Sequence, residues 1–123
     1  MHHGIVSCDA AAPLSEVAAT MCAHGVHALR VVGDGRPAAI ITDADLLAAV
    51  ERDAEGTAGD VAATAGLTIS AGRSLLDASR LMTEHGVTHL LVRHARNGHV
   101  IGIISTTDIT CALGAAVSVG SRA

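Results

Sequence analysis

Phenylalanine, tryptophan and tyrosine are all missing from this chain of 123 residues, and so is lysine. Without aromatic rings there is no platform on which unpaired bases could stack, the usual device of single-stranded nucleic-acid binding. Without lysine the positive charge rests on eight arginines, against twelve acidic residues, for a formal net charge of −4. No basic run or stripe stands out, which excludes nucleic acid and anionic membrane as expected partners. Cysteine is scarce too. Cys8, Cys22 and Cys111 are widely spaced and odd in number, a pattern of buried reduced thiols rather than a disulfide framework. No apolar run approaches 18 residues, and the opening "MHHGIVSCD" lacks the basic and long apolar regions of a signal peptide. The expectation is a soluble, cytoplasmic protein; His2 and His3 carry no weight in it.

Half of the residues are apolar, so the core must be built from Ala, Val, Leu, Ile and Met. A chain of this length buries roughly two-thirds of its unfolded surface and needs no metal or disulfide staple. What fills it is a repeat. "IITDADLL" at 40–47 answers to "IISTTDIT" at 103–110, and "HGVHALRVV" at 24–32 to "HGVTHLLVR" at 85–93. "PLSEVAATM" at 13–21 matches "SLLDASRLM" at 74–82 in apolar pattern. The offset is 61 residues at the 13–21 and 24–32 matches and 63 at the octet, and the two extra residues fall in the turn "RHARNGH" at 93–99. An insertion there costs little. One half runs from about 5 to 50, the other from about 67 to 113.

Each half reads as strand, helix, strand, strand, helix. "GIVSC" and "LTIS" are short β-branched runs. In the first helix Leu14, Val17, Ala18, Met21 and Cys22 share one face, Pro13 suits the first turn and Gly25 the stop. In the second half Ser74 with Asp77 resembles a capping box, and Gly86 is the stop. A hairpin follows, turning at "GDGRP" in the first half and at "ARNG" in the second. Thr42 or Ser105 then ends a strand where a helix begins. A hydroxyl at that point and an acid three residues later, Asp45 or Asp108, form a helix N-cap, and the carboxylate favours the positive helix end.

The "HGV" helix stop, the apolar hairpin, and the closing pattern of apolar pair, Thr/Ser-x-x-Asp and aliphatic occur twice over nearly the whole chain. In these features the chain resembles a tandem pair of CBS domains, the Bateman module. The resemblance implies an α/β (α+β) fold of two βαββα repeats packed around a pseudo-two-fold axis, with repeat one at 1–56, repeat two at 57–118 and a tail at 119–123. It also implies a homodimer and a regulatory role: binding an adenine nucleotide or related adenosyl ligand (AMP, ADP, ATP, S-adenosylmethionine or NADH) and signalling to a regulated protein, with no cofactor required. Similar modules bind such ligands in two clefts, where the Asp accepts from ribose hydroxyls and the Thr or Ser helps hold phosphate at the helix start.

Carried onto this chain, the resemblance implies two ligand sets. One joins Thr42 and Asp45 with Leu67, Thr68 and Ile69 and with Thr88 and His89. The other joins Ser105, Thr106 and Asp108 with Val6, Ser7 and Cys8 and with His27 and Ala28. The spacers distinguish them: "TDAD" adds a second negative charge at Asp43, whereas "STTD" offers neutral hydroxyls, so the Ser105–Asp108 start is the better expected phosphate site. Many nucleotide-binding relatives carry a basic residue just before the Asp; here Ala44 and Thr107 stand there, leaving Arg30, Arg93, a histidine or a second subunit to neutralise phosphate.

Other chemistry has weaker support. His24 and His27, and His85 and His89, straddle helix-to-strand breaks, so the spacing does not place two metal ligands on one face. No Ser, Cys and His grouping has the spacing of an activated nucleophile, and the glycines mark stops and turns rather than a phosphate loop. The chain is not expected to be an enzyme. Two readings stand beside the regulatory one: a ligand-independent dimerisation scaffold, and a histidine-based metal sensor centred on His27 and His89.

Overall fold

A computed structural model describes residues 5–33, 39–52, 55–62, 64–65 and 67–122. His2, His3 and most of the expected "GDGRP" turn lie outside the described residues. The chain divides into two compact units between Leu67 and Thr68.

The first unit runs β1 (Ser7–Asp9), α1 (Leu14–His24), β2 (Ala28–Val32), β3 (Ala39–Thr42), α2 (Asp43–Glu51), α3 (Ala58–Val61) and β4 (Thr64–Ala65). Its sheet has the order β1-β2-β3-β4. β1 pairs parallel with β2, which needs the α1 crossover between them, and β2 pairs antiparallel with β3 as a hairpin. Val17 and Met21 of α1 pack with Leu29, Val31 and Ile41 of the hairpin to form the core. Pro13, expected inside the first turn, is instead the N-cap residue, extended at φ −67° and ψ 153°. At the other end Gly25 adopts φ 62°, ψ 35°, and Val26 donates to the Met21 carbonyl at 3.1 Å. Cys22, expected on the apolar face, is exposed. One residue past Met21 the helix has turned by about 100°, which carries Cys22 beyond the rim of the narrow stripe that the hairpin covers. Cys111 is exposed as well, and only Cys8 is partly buried, so the thiols are not the buried set their spacing suggested.

The second unit repeats the order as β5 (Thr68–Ser70), α4 (Leu75–His85), β6 (His89–Arg93), β7 (Val100–Ser105) and α5 (Thr106–Arg122), with sheet order β5-β6-β7. Ala78, Met82, Leu90, Leu91, Val92 and Ile109 are buried. Ser74 accepts from the Asp77 N–H at 3.1 Å, the forward half of the expected capping box. The extra residues of the second hairpin enter as a turn through Gly98, at φ 71°, and a register shift in the β6–β7 ladder between Val92 and Arg93.

By packing, the segment that opens the second sequence repeat goes with the first unit. Ala58 and Gly59 donate to the carbonyls of Ala12 and Ala10 at 2.9 Å, Thr57 bridges Pro13, and β4 extends the sheet beyond β3. Among the described residues no helix is long and apolar enough to cross a membrane.

Gly25 needs its left-handed backbone, and a Cβ there would meet nothing within 4 Å. Gly25→Ala should therefore cost only the backbone term, about 1–2 kcal/mol, read as a lower urea midpoint by circular dichroism. A midpoint equal to wild type would show that α1 does not depend on this stop.

Candidate functional site

Thr42 and Ser105 each sit where a strand ends and a helix begins, and the local sequence makes both junctions the same way. Asp45 N–H donates to Thr42 Oγ1 at 3.2 Å, and Thr42 N–H donates back to Asp45 Oδ2 at 2.8 Å. Asp108 N–H donates to Ser105 Oγ at 3.1 Å, and Ser105 N–H to Asp108 Oδ2 at 2.9 Å. The next amide is tied to the start of the preceding hairpin: Asp43 N–H to the His27 carbonyl at 2.9 Å, Thr106 N–H to the Thr88 carbonyl at 3.0 Å. Strand pairing sets Ala28 beside Thr42 and His89 beside Ser105.

One position breaks the symmetry. At α2 the N–H of Ala44 is taken by the Asp43 carboxylate at 2.8 Å, so the four leading amides, from Thr42 to Asp45, all have partners. At α5 the equivalent N–H, that of Thr107, has no partner among the described residues, and a hydroxyl residue, Thr106, stands where Asp43 does. The spacers mark this contrast in the sequence, Asp43 against neutral hydroxyls; what they do not mark is that the Asp43 carboxylate turns back onto the Ala44 amide. Asp43 also faces His27 Nδ1 at 3.3 Å, with both side chains more than half exposed.

Asp108 is partly buried. Burial alone would raise its pKa; hydrogen bonds from the backbone and side chain of Ser105 are among the causes that outweigh it and hold the carboxyl below its usual value. It is ionised at neutral pH. Burial pushes the Cys8 thiol up, and the carboxylates of Asp9 and Glu16 add to the rise, so Cys8 is a neutral thiol rather than a nucleophile.

The remaining expected residues fall in order along each unit. Val6 precedes β1, Ser7 and Cys8 lie in it, and Leu67 follows β4; Thr68 and Ile69 lie in β5. Thr88 Oγ1 and His89 Nδ1 are 2.9 Å apart. Among the described residues no group of three or more His, Cys, Asp or Glu side chains is arranged to hold a metal ion.

The CBS domain family model matches residues 1–52 and again 58–115. No curated protein matches the chain. Solved structures do. A CBS domain protein from Pyrobaculum aerophilum complexed with AMP has a TM-score of 0.78 at 22% identity, covering 94% of this chain and 95% of the other. A protein with CBS domains from Burkholderia ambifaria has a TM-score of 0.81 at 25% identity, with coverage of 92% and 85%. The CBS domain pair of protein MJ0100, in complex with 5′-methylthioadenosine and S-adenosyl-L-methionine, has a TM-score of 0.84 at 17% identity, with coverage of 94% and 93%.

A depressed carboxyl pKa contributes stability that is complete above the unfolded value, near 4, and is lost as pH falls through the lower folded value. Asp108→Asn keeps an oxygen for the cap but removes the charge at the helix start. It should cost about 0.5–1 kcal/mol at pH 7 and close on wild type toward pH 2. Urea unfolding across that range checks this; a gap independent of pH would deny the carboxylate its role.

Proposed function

The chain belongs to the CBS domain family, and on that premise we propose that it is a regulatory module that binds an adenine nucleotide or related adenosyl ligand, with the phosphate or other anionic group held at the start of α5. The observation that carries the proposal is the Thr107 N–H, which has no partner among the described residues and lies among the neutral hydroxyl residues Ser105, Thr106 and Thr107. A free amide at the positive end of a 17-residue helix suits an anion, and the ionised Asp108 can accept from a vicinal diol. The adenosyl class is supported by proteins of similar fold that are complexed with AMP, or with 5′-methylthioadenosine and S-adenosyl-L-methionine.

The remaining ligand contacts proposed are those implied by the family resemblance. Val6, Ser7, Cys8, His27 and Ala28 join Ser105, Thr106 and Asp108. Leu67, Thr68, Ile69, Thr88 and His89 join Thr42 and Asp45. At α2 Asp43 already fills the anion position, so that set would favour an adenosyl ligand without phosphate. The proposed mechanism is population shift: the ligand favours one of the chain's states and a regulated partner reads it. A cytoplasmic location accords with this reading.

A second reading, a homodimerisation scaffold independent of ligand, is supported by Leu47 and Val50 of α2, which are 71% and 76% exposed. It predicts a melting temperature that rises with protein concentration and ignores every nucleotide.

Thermal unfolding by circular dichroism, with AMP, ADP, ATP, S-adenosylmethionine, NADH and adenosine, tests the first reading. A ligand at 100 times its Kd should add about 2.7 kcal/mol. Thr106→Asp rebuilds the α2 arrangement at α5 and should weaken AMP at least about tenfold, the scale of a lost charge-assisted hydrogen bond, while leaving adenosine unchanged. Asp45→Ala with Asp108→Ala should abolish binding of both. A flat response to every adenosyl compound would leave the scaffold reading in its place.

A further inference from the structure

Each unit carries a cavity between its first strand and the helix that follows. In the first unit the cavity measures about 410 Å³ and is lined by Cys8, Asp9, Ala12, Glu16 and Thr20, among others. In the second it measures about 270 Å³ and is lined by Thr68, Ser70, Arg73, Asp77, Leu81 and Arg93, with Ile69. The sequence offset of 61 makes these the same place in the fold: Arg73 replaces Ala12, Asp77 replaces Glu16, and Arg93 replaces Val32.

The chemistry has been reversed. The first cavity has two carboxylates and no cation in its lining. The second has two guanidinium groups and one carboxylate. Arg73 Nη1 stands 3.9 Å from Asp77 Oδ2, a loose pair with both side chains well exposed. The Arg93 guanidinium has no hydrogen-bond or ion-pair partner among the described residues, nor do the hydroxyls of Thr68 and Ser70. The fold does not require arginine at either place, since the first unit builds the same strand and helix with alanine and valine. The β6–β7 ladder also shifts register at Arg93, an irregularity that re-aims a side chain.

We propose that the cavity of the second unit is a binding site for a small oxyanion, a phosphate group free or carried on a small hydroxylated ester. Arg93 and Arg73 supply the charge-assisted donors that planar guanidinium groups offer to phosphate. Ser70 and Thr68 supply neutral donors, and Asp77 accepts from an ester hydroxyl. One net positive charge in the lining is what the bound anion offsets. The site lies at the C-terminal ends of β5 and β6, whereas Thr88, His89 and Ser105 mark the opposite end of the sheet. Thr68 and Ile69 also belong to the ligand set proposed with Thr42 and Asp45, but Arg73, Arg93, Ser70 and Asp77 belong to neither adenosyl set, and these four carry the present proposal.

The test uses the full chain labelled with ¹⁵N and titrated at constant ionic strength with inorganic phosphate, with glycerol 3-phosphate and with chloride. Saturable shifts of the amides from Ser70 to Arg73 and at Arg93 are expected with the two phosphates and not with chloride. Equal affinities identify free phosphate as the occupant, and tighter binding of glycerol 3-phosphate identifies the ester. Arg73→Ala with Arg93→Val installs the residues of the first unit, so the fold should persist, and affinity should fall at least about tenfold. Asp108→Asn should leave this binding intact. No saturable shift with either phosphate, the same shifts with chloride, or unchanged affinity in the double variant would overturn the proposal.

Discussion

The reciprocal hydrogen bonding between a hydroxyl residue and the aspartate three places on is what each unit hangs from. Within four residues it ends a strand, starts a helix and, through the next amide, ties both to the residue before or at the opening of the preceding hairpin. Thr42, Asp43 and His27 do this in the first unit, Ser105, Thr106 and Thr88 in the second. Capping bonds of this kind contribute about 1 kcal/mol each, and their geometry fixes where the helix points. Structure and binding are therefore not rival explanations of the repeated octet. The box engages Oδ2 of each aspartate.

What it does not consume differs between the halves. In the first, the Asp43 carboxylate closes the last open amide of α2, and the cavity beside β1 is acidic. In the second, the Thr107 amide has no partner among the described residues, Thr106 is neutral, and the corresponding cavity holds two arginines. A backbone written twice thus carries two electrostatic characters, with both cavity arginines on the second copy. The overall charge of −4 hides this division.

Helix ends and hairpins were legible because they depend on single residues with local physics. Gly25 and Gly86 stop their helices in the left-handed region, at φ 62° and 63°, and Thr42 and Ser105 start theirs. Features set by packing were less so. Cys22 fits the apolar period and is exposed, because the hairpin covers a stripe narrower than the pattern. The attachment of Ala58 and Gly59 to the first unit runs through backbone carbonyls of Ala10 and Ala12, which leave no mark on side-chain choice. At the candidate site the two carboxylates were visible in the sequence. The backbone amide of Thr107, without a partner among the described residues, was not, because backbone hydrogen bonding has no letter of its own.

The strand β4 and helix α3 make the repeating length of sequence and the self-sufficient length of chain two different things. A segment ending at residue 56 would hold one full copy of the pattern yet leave the Ala10 and Ala12 carbonyls without their donors and β3 as a bare sheet edge. The cassette that could be copied or transplanted intact is longer than the motif and overlaps its successor. Any shuffling of such halves among other proteins has to carry the first ten residues of the next one along.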